Sequence, residues 1–365
     1  MKPITDWFQQ QLSNPQVISL LLVLLLFWAL VTFLPGTFMP VFAAVVIAYL
    51  LEGPTGALER VLPRWAASMV IWTIFVTVAM AGLFTVLPLL TRQITQLITE
   101  IPAVIRALQS WMMTLPEQYP NIFSAQQLQE FADGLNINFS RLSDEVLARS
   151  YMVGTGITLA MIYGVLVPLM VLFLLKDKTR ILRWMRGFLP RDISLIQSVW
   201  NEVDQQIANY VRGKAMEIAI VWAVTYVVFA ILGLNYAALL GAITGFSVLI
   251  PYVGAILVTF PVAAVAYSQF GIGPEFAWVM AAYVVIQALD GNVLVPVIFS
   301  ETNDLHPVAI IVAVMFFGTL YGFWGVFFAI PLATLVASIL KAWPRVRHDE
   351  AAEAASDSGE EAAAP

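Results

Sequence analysis

Apolar residues run along this chain in long blocks, and polar residues arrive mainly in short interruptions. Blocks over 17–34, 38–51, 66–90, 152–175, 215–233, 236–268, 275–299 and 307–340 are each at or near membrane-crossing length, since a hydrocarbon core of about 30 Å needs roughly 20 apolar residues in a helix. Only helices with internally satisfied backbones, or closed barrels, cross lipid, and continuous apolar runs of this length are the helical kind. The pattern therefore predicts an all-α integral membrane protein of about eight transmembrane helices. An even number of crossings puts both termini on one side.

Periodicity changes between the third and fourth blocks. Residues 91–150 begin with Ile94, Leu97, Ile98, Ile101, Val104, Ile105, Leu108 and Trp111 at helical spacing, which predicts one greasy helix face lying on the membrane or against a neighbouring subunit. Four segments follow: membrane helices over 1–90, an amphipathic segment over 91–150 on the non-cytoplasmic side, a membrane core over 151–340 containing a basic cytoplasmic linker at 176–214, and an acidic tail over 341–365. The first apolar block has no small-residue cleavage site after it and reads as an uncleaved helix.

Charge settles the orientation. Lys2, Arg60, Arg64, Lys176, Lys178, Arg180, Arg183, Arg186, Arg191, Arg212, Lys214, Lys341, Arg345 and Arg347 fall on one predicted face, against Arg92, Arg106, Arg141 and Arg149 on the other. Basic residues accumulate in cytoplasmic loops, so both termini are expected in the cytoplasm. The linker KDKTRILRWMRGFLPRD follows a membrane span directly, which favours attraction to anionic lipid headgroups over nucleic acid. The net charge of -6 comes from a tail, DEAAEAASDSGEEAAAP, whose lack of large apolar side chains predicts disorder.

Composition closes several doors. With 60% hydrophobic residues, no cysteine and two histidines, thiolate metal sites are excluded and a histidine metal centre or other cofactor is not expected. GxSxG, HExxH and Walker signatures are absent, which argues against an enzyme.

The interruptions in the last third carry the candidate chemistry. From Ala215 to Leu340 there is no Lys or Arg, and Asp290 is the one carboxylate set well inside an apolar block. A carboxylate there costs several kcal/mol unless paired, hydrated or neutralised, which makes it a functional candidate. Tyr283, Gln287 and Asp290 form a polar stripe with Asn292 beside it. The same stretch, LDGNVLVP, also carries turn signals, so Asp290 and Asn292 could instead cap a helix broken near Gly291 and Pro296. Pro251, Gly254 and Pro261 predict a kink or re-entry in the block over 236–268, and the last block has the same ingredients in Gly318, Gly322, Gly325 and Pro331. The pairs Gly241 with Gly245 and Gly318 with Gly322, together with Gly325, permit close helix approach. Two segments share Gly, an apolar run, then Pro and Ala, as internal repeats of transporters do. At the membrane boundary, Tyr210, Lys214 and Glu217 fall on one stripe with a Lys–Glu pair expected, and His306 precedes Pro307 as a capping candidate, with a proton relay the alternative.

YVRGK at 210–214, FSVLIPYVGA at 246–255, IQALDGNVLVPVIF at 286–299, LHP at 305–307 and GFWGVFFAIPLATL at 322–335 together resemble the autoinducer-2 exporter (AI-2E) family, in its PerM-like permease branch. The resemblance covers nearly the whole chain. It implies a bacterial inner-membrane protein, a homo-oligomer with a pentamer the expected assembly, and secondary export of small molecules. It also implies that some members act as sodium or lithium/proton antiporters. The leading expectation is thus an exporter of a small polar solute through Tyr283, Gln287, Asp290 and Asn292. A monovalent cation/proton antiporter is the alternative, and a non-transporting membrane scaffold the third.

Overall fold

The computed structural model describes residues 35–113, 153–187, 194–251, 253–299 and 306–337, with a few isolated positions besides. The expected first span over 17–34, most of 114–152, residues 300–305 and the acidic tail lie outside the described residues.

Every regular element among the described residues is helical: α1 (Pro35–Leu58), α2 (Arg64–Met112), α3 (Val153–Lys176), α4 (Lys178–Arg186), α5 (Ser194–Ile231), α6 (Ala237–Ser247), α7 (Val253–Phe270), α8 (Pro274–Leu289), a π-helical turn (Asp290–Leu294), α9 (Val295–Phe299) and α10 (Pro307–Phe327). A last helix, α11, covers 329–337. Among the described residues six helical stretches are long and apolar enough to cross a membrane, and two shorter apolar helices, Ile162–Lys176 and Ala237–Ser247, accompany them.

Two boundaries differ from expectation, for one reason. Helix α2 runs for 49 residues through position 91, and α5 runs for 38 residues through position 214, where segment ends were expected. In both places a polar stretch keeps helical spacing, and continuing a helix costs less than nucleating another. Arg212 and Lys214, expected in a cytoplasmic linker, consequently sit inside the apolar stretch Val203–Ile231.

The chain forms two compact units, each assembled from separate segments: 1–53 with 173–213 and 299–365, and 54–172 with 214–298. In the second unit, α7 packs against α6, α8 and α2. Phe229, Leu240, Val258, Val262, Val265, Val279 and Tyr283 form its core. An apolar 18-residue stretch of α2 has no buried residue, and Val78, Phe84 and Leu87 stand outward, as lipid-facing side chains do. Its threonines need no outside partner: Thr73, Thr77 and Thr85 each donate to the carbonyl four residues earlier, at 2.6–2.8 Å, which satisfies a hydroxyl in lipid.

The predicted interruptions are real in part. The block over 236–268 divides into α6 and α7 around a turn containing Pro251, whereas Pro261 sits inside α7 without ending it. A Cβ on Gly254 would run into the Ser247 carbonyl oxygen across that turn, so the chain doubles back where only a bare Cα fits. In the first unit, α10 contains Gly322 at φ 59°, ψ −135°, a conformation reserved for glycine, and a Cβ on Gly325 would meet the Phe317 carbonyl oxygen. Of the ingredients of an interruption in the last block, Gly322, also read as a packing residue, is the break, and Pro331 opens α11 instead of breaking it. The Gly-then-Pro likeness of the two segments reflects the same local device, a helix end pressed on its own preceding turn.

Gly241 and Gly245 do bring helices together. Built Cβ atoms would stand 3.0 Å from Tyr226 N and 2.8 Å from Ile218 O, so the face of α6 rests on the backbone of α5. Gly245→Leu is expected to force these helices apart and to lower the melting temperature in detergent. The cost is at least the 1–3 kcal/mol typical of overpacking, and an unchanged melting temperature would show that the helices separate freely.

A buried charge cluster at a widened helical turn

Helix α8 does not break at DGN. It widens into a π-turn over Asp290–Leu294, with the Val295 N–H reaching the Asp290 carbonyl five residues back, and resumes as α9. Pro296 explains the widening: it has no N–H, and its ring crowds the carbonyl four residues earlier. In lipid an outright break would strand several backbone groups, while one wide turn strands few. Asn292 Nδ2 donates to Ala288 O at 2.8 Å, supplying a donor to the bulge. Asp290 makes no capping bond, so of the two predicted caps only Asn292 bonds the backbone.

One turn earlier, a relay crosses from α8 to α7. Gln287 Nε2 donates to Tyr283 Oη at 2.8 Å, and Tyr283 Oη donates to Ala255 O at 2.7 Å, where Thr259 Oγ1 also donates at 2.9 Å. The polar stripe expected on this helix therefore exists, with Tyr283 buried in the core.

The largest departure from expectation is the cation. Lys214 is buried on α5, with its Nζ 3.1 and 2.8 Å from the two Glu217 oxygens and 2.9 Å from Val248 O in the α6–α7 turn. Glu217 is 1% exposed. Asp290 interacts electrostatically with both Lys214 and Glu217. One ammonium thus interacts with two carboxylates, Glu217 buried and Asp290 half-buried, and Asp290 Oδ1 is itself buried with no hydrogen-bond donor among the described residues. Sequence reasoning missed this grouping because the window scanned for cations began at 215. The expected Lys–Glu pair forms, and both of its side chains are buried.

The other singled-out residues are elsewhere. Tyr210 packs its ring on Phe299 and edge-on against Phe327 in the first unit. His306 caps α10, its Nδ1 accepting from Val308 N at 3.2 Å. Gly318 stands 2.9 Å, measured from a built Cβ, from a Val326 methyl across the Gly322 break. Among the described residues no group of three or more metal-ligating side chains occurs. Outside the spans, burial and the Glu100 carboxylate push the Tyr236 phenol up to about 12, so at neutral pH it remains protonated in the loop before α6.

A polytopic helical fold with interrupted apolar helices and a buried charge cluster is the architecture of a membrane transporter, and the profile of the AI-2E family transporters matches residues 18–345. The chain belongs to the AI-2E family. The Escherichia coli (strain K12) protein PerM, named as a permease, is 44% identical over 346 residues, covering 94% of this chain and 98% of its own. The Bacillus subtilis (strain 168) protein YueF, named as a transport protein, is 26% identical over 85% of each chain. TqsA of E. coli (strain K12), named as an AI-2 transport protein, is 23% identical over 90% of this chain and 93% of its own. This AI-2E family member is accordingly a membrane permease of bacterial type, and its lipid-facing helices and apolar core are those of a bilayer protein.

Proposed function

We propose that this AI-2E transporter exports a small polar solute across the bacterial inner membrane, both termini cytoplasmic, through a pathway lined at the π-turn by Gln287, Asp290 and Asn292. The observation that supports it is the buried Asp290 Oδ1 without a donor, beside the Lys214–Glu217 pair. A census of the site's hydrogen bonds sharpens the substrate. Gln287, Tyr283 and Asn292 each give one donor to a protein acceptor, and the Lys214 ammonium donates to Glu217 and Val248. Two carboxylate oxygens of the cluster, Asp290 Oδ1 and Glu217 Oε2, are buried with no hydrogen-bond donor among the described residues, which suits a solute offering hydroxyl or N–H donors and disfavours an anion.

Asp290→Asn and Gln287→Ala, reconstituted in vesicles, should each slow efflux of a hydroxyl-rich solute at least tenfold with the protein still folded. Full transport in both variants would remove the site. With both carboxylates ionised, one ammonium would leave a single negative charge for a monovalent cation to neutralise, the specific feature in favour of the antiporter reading. Sodium-dependent proton flux in the same vesicles would favour that reading over solute export. The scaffold reading predicts instead that removing residues 349–365 abolishes the phenotype while Asp290→Asn changes nothing.

A further inference from the structure

Helix α4, Lys178–Arg186, takes no part in the charge cluster. It begins two residues after Lys176, the last residue of an apolar helix, and none of its residues is buried. At 100° per residue, Arg180, Arg183 and Arg186 fall on one side with Thr179, and Ile181, Leu182, Trp184 and Met185 fall on the other. Ile181 and Leu182 are half-covered, while Trp184 is 66% and Met185 49% exposed. Lys178, which lies on the apolar side by spacing, is pulled inward to Glu52 at 3.0 Å, so the first turn is pinned to α1. Among the described residues no carboxylate pairs with Arg180, Arg183 or Arg186.

A short helix with one arginine side and one aromatic side, fastened where a membrane helix ends, has the chemistry of the interfacial zone. Trp and Met suit the level where acyl chains meet headgroups, and guanidinium groups bind phosphate by paired N–H donors. We propose that α4 is a binding site for anionic phospholipid headgroups, with Arg180, Arg183 and Arg186 on the phosphates and Trp184 and Met185 inserted beneath them. Charge complementarity selects the occupant: three guanidinium groups on one face, with no carboxylate partner among the described residues, attract an anionic leaflet, and the adjoining apolar face distinguishes a lipid from a soluble phosphate.

The full chain would be placed in phosphatidylcholine bilayers containing either spin-labelled phosphatidylglycerol or spin-labelled phosphatidylcholine, and the fraction of each label immobilised by the protein compared. The wild type should favour phosphatidylglycerol, and each arginine replaced by glutamine should reduce its relative association about fivefold, in keeping with one basic residue near an anionic surface. The triple change R180Q/R183Q/R186Q should abolish the preference, and R180K/R183K/R186K should retain part of it. Insertion has its own readout, because the chain contains no cysteine: a polarity-sensitive fluorophore on Trp184→Cys should emit as in an apolar medium. Equal association of the two lipids with the wild type, a preference surviving in the triple glutamine variant, or water-like emission at position 184 would each overturn the proposal.

Discussion

Replacing Lys214 by methionine is expected to cost this transporter more stability than any other single side-chain change in its second unit. The ammonium holds both Glu217 oxygens and the Val248 carbonyl, and Glu217 is buried, so its removal leaves an uncompensated carboxylate in an apolar interior and frees the α6–α7 turn. Breaking one partner from a buried pair costs about 3–5 kcal/mol, whereas replacing both partners with uncharged groups is often close to neutral. Lys214→Met should therefore lower the melting temperature sharply or give no folded protein. Lys214→Met with Glu217→Gln should recover most of the loss, short of the roughly 1 kcal/mol of the Val248 hydrogen bond. Thermal unfolding in detergent measures both. A single variant as stable as the wild type, or a double variant as poor as the single, would show that the ion pair does not stabilise this unit.

Gly254→Ala is the second large effect. The added methyl would meet the Ser247 carbonyl oxygen, which is backbone and cannot swing aside as a side chain can, so the α6–α7 turn must open. We expect a loss of about 3 kcal/mol or more, above the usual range for overpacking, because that turn also carries the Val248 carbonyl that Lys214 holds. Gly291→Ala is the matched control: it lies in a helical turn with nothing within 4 Å of a built Cβ, and alanine in place of glycine there should be neutral or stabilising by up to about 1 kcal/mol. Comparable melting temperatures for the two variants would mean that the turn has more room than its geometry indicates.

The sequence made much of this legible, and the failures have physical causes. Long apolar runs identify lipid-spanning helices because lipid leaves the backbone no alternative, and the stripe of Tyr283, Gln287 and Asp290 follows from helical spacing alone. Turn chemistry misled at Asp290-Gly291-Asn292: in water these residues end helices, but in an apolar surrounding a widened turn keeps more of the backbone bonded than a break does. Pro261 passed through α7 for the same reason. Helical spacing revealed the Lys214–Glu217 pair, but charge counting assigns basic residues to loops by default and could not show that Val248 O and Asp290 would join it. The glycines and proline of the last block pointed to an interruption without saying which residue makes it, because spacing says nothing about φ.

The account rests on Asp290 facing an aqueous path and not lipid. In a chain without cysteine, single replacements Asp290→Cys and Asn292→Cys can be treated in membrane vesicles with a hydrophilic, membrane-impermeant thiol reagent, with Val297→Cys, at a position 71% exposed on the outside of α9, as the lipid-facing reference. Modification at 290 and 292 much faster than at 297, slowed by a transported solute, is the predicted result. Rates at 290 and 292 no higher than at 297 would contradict it.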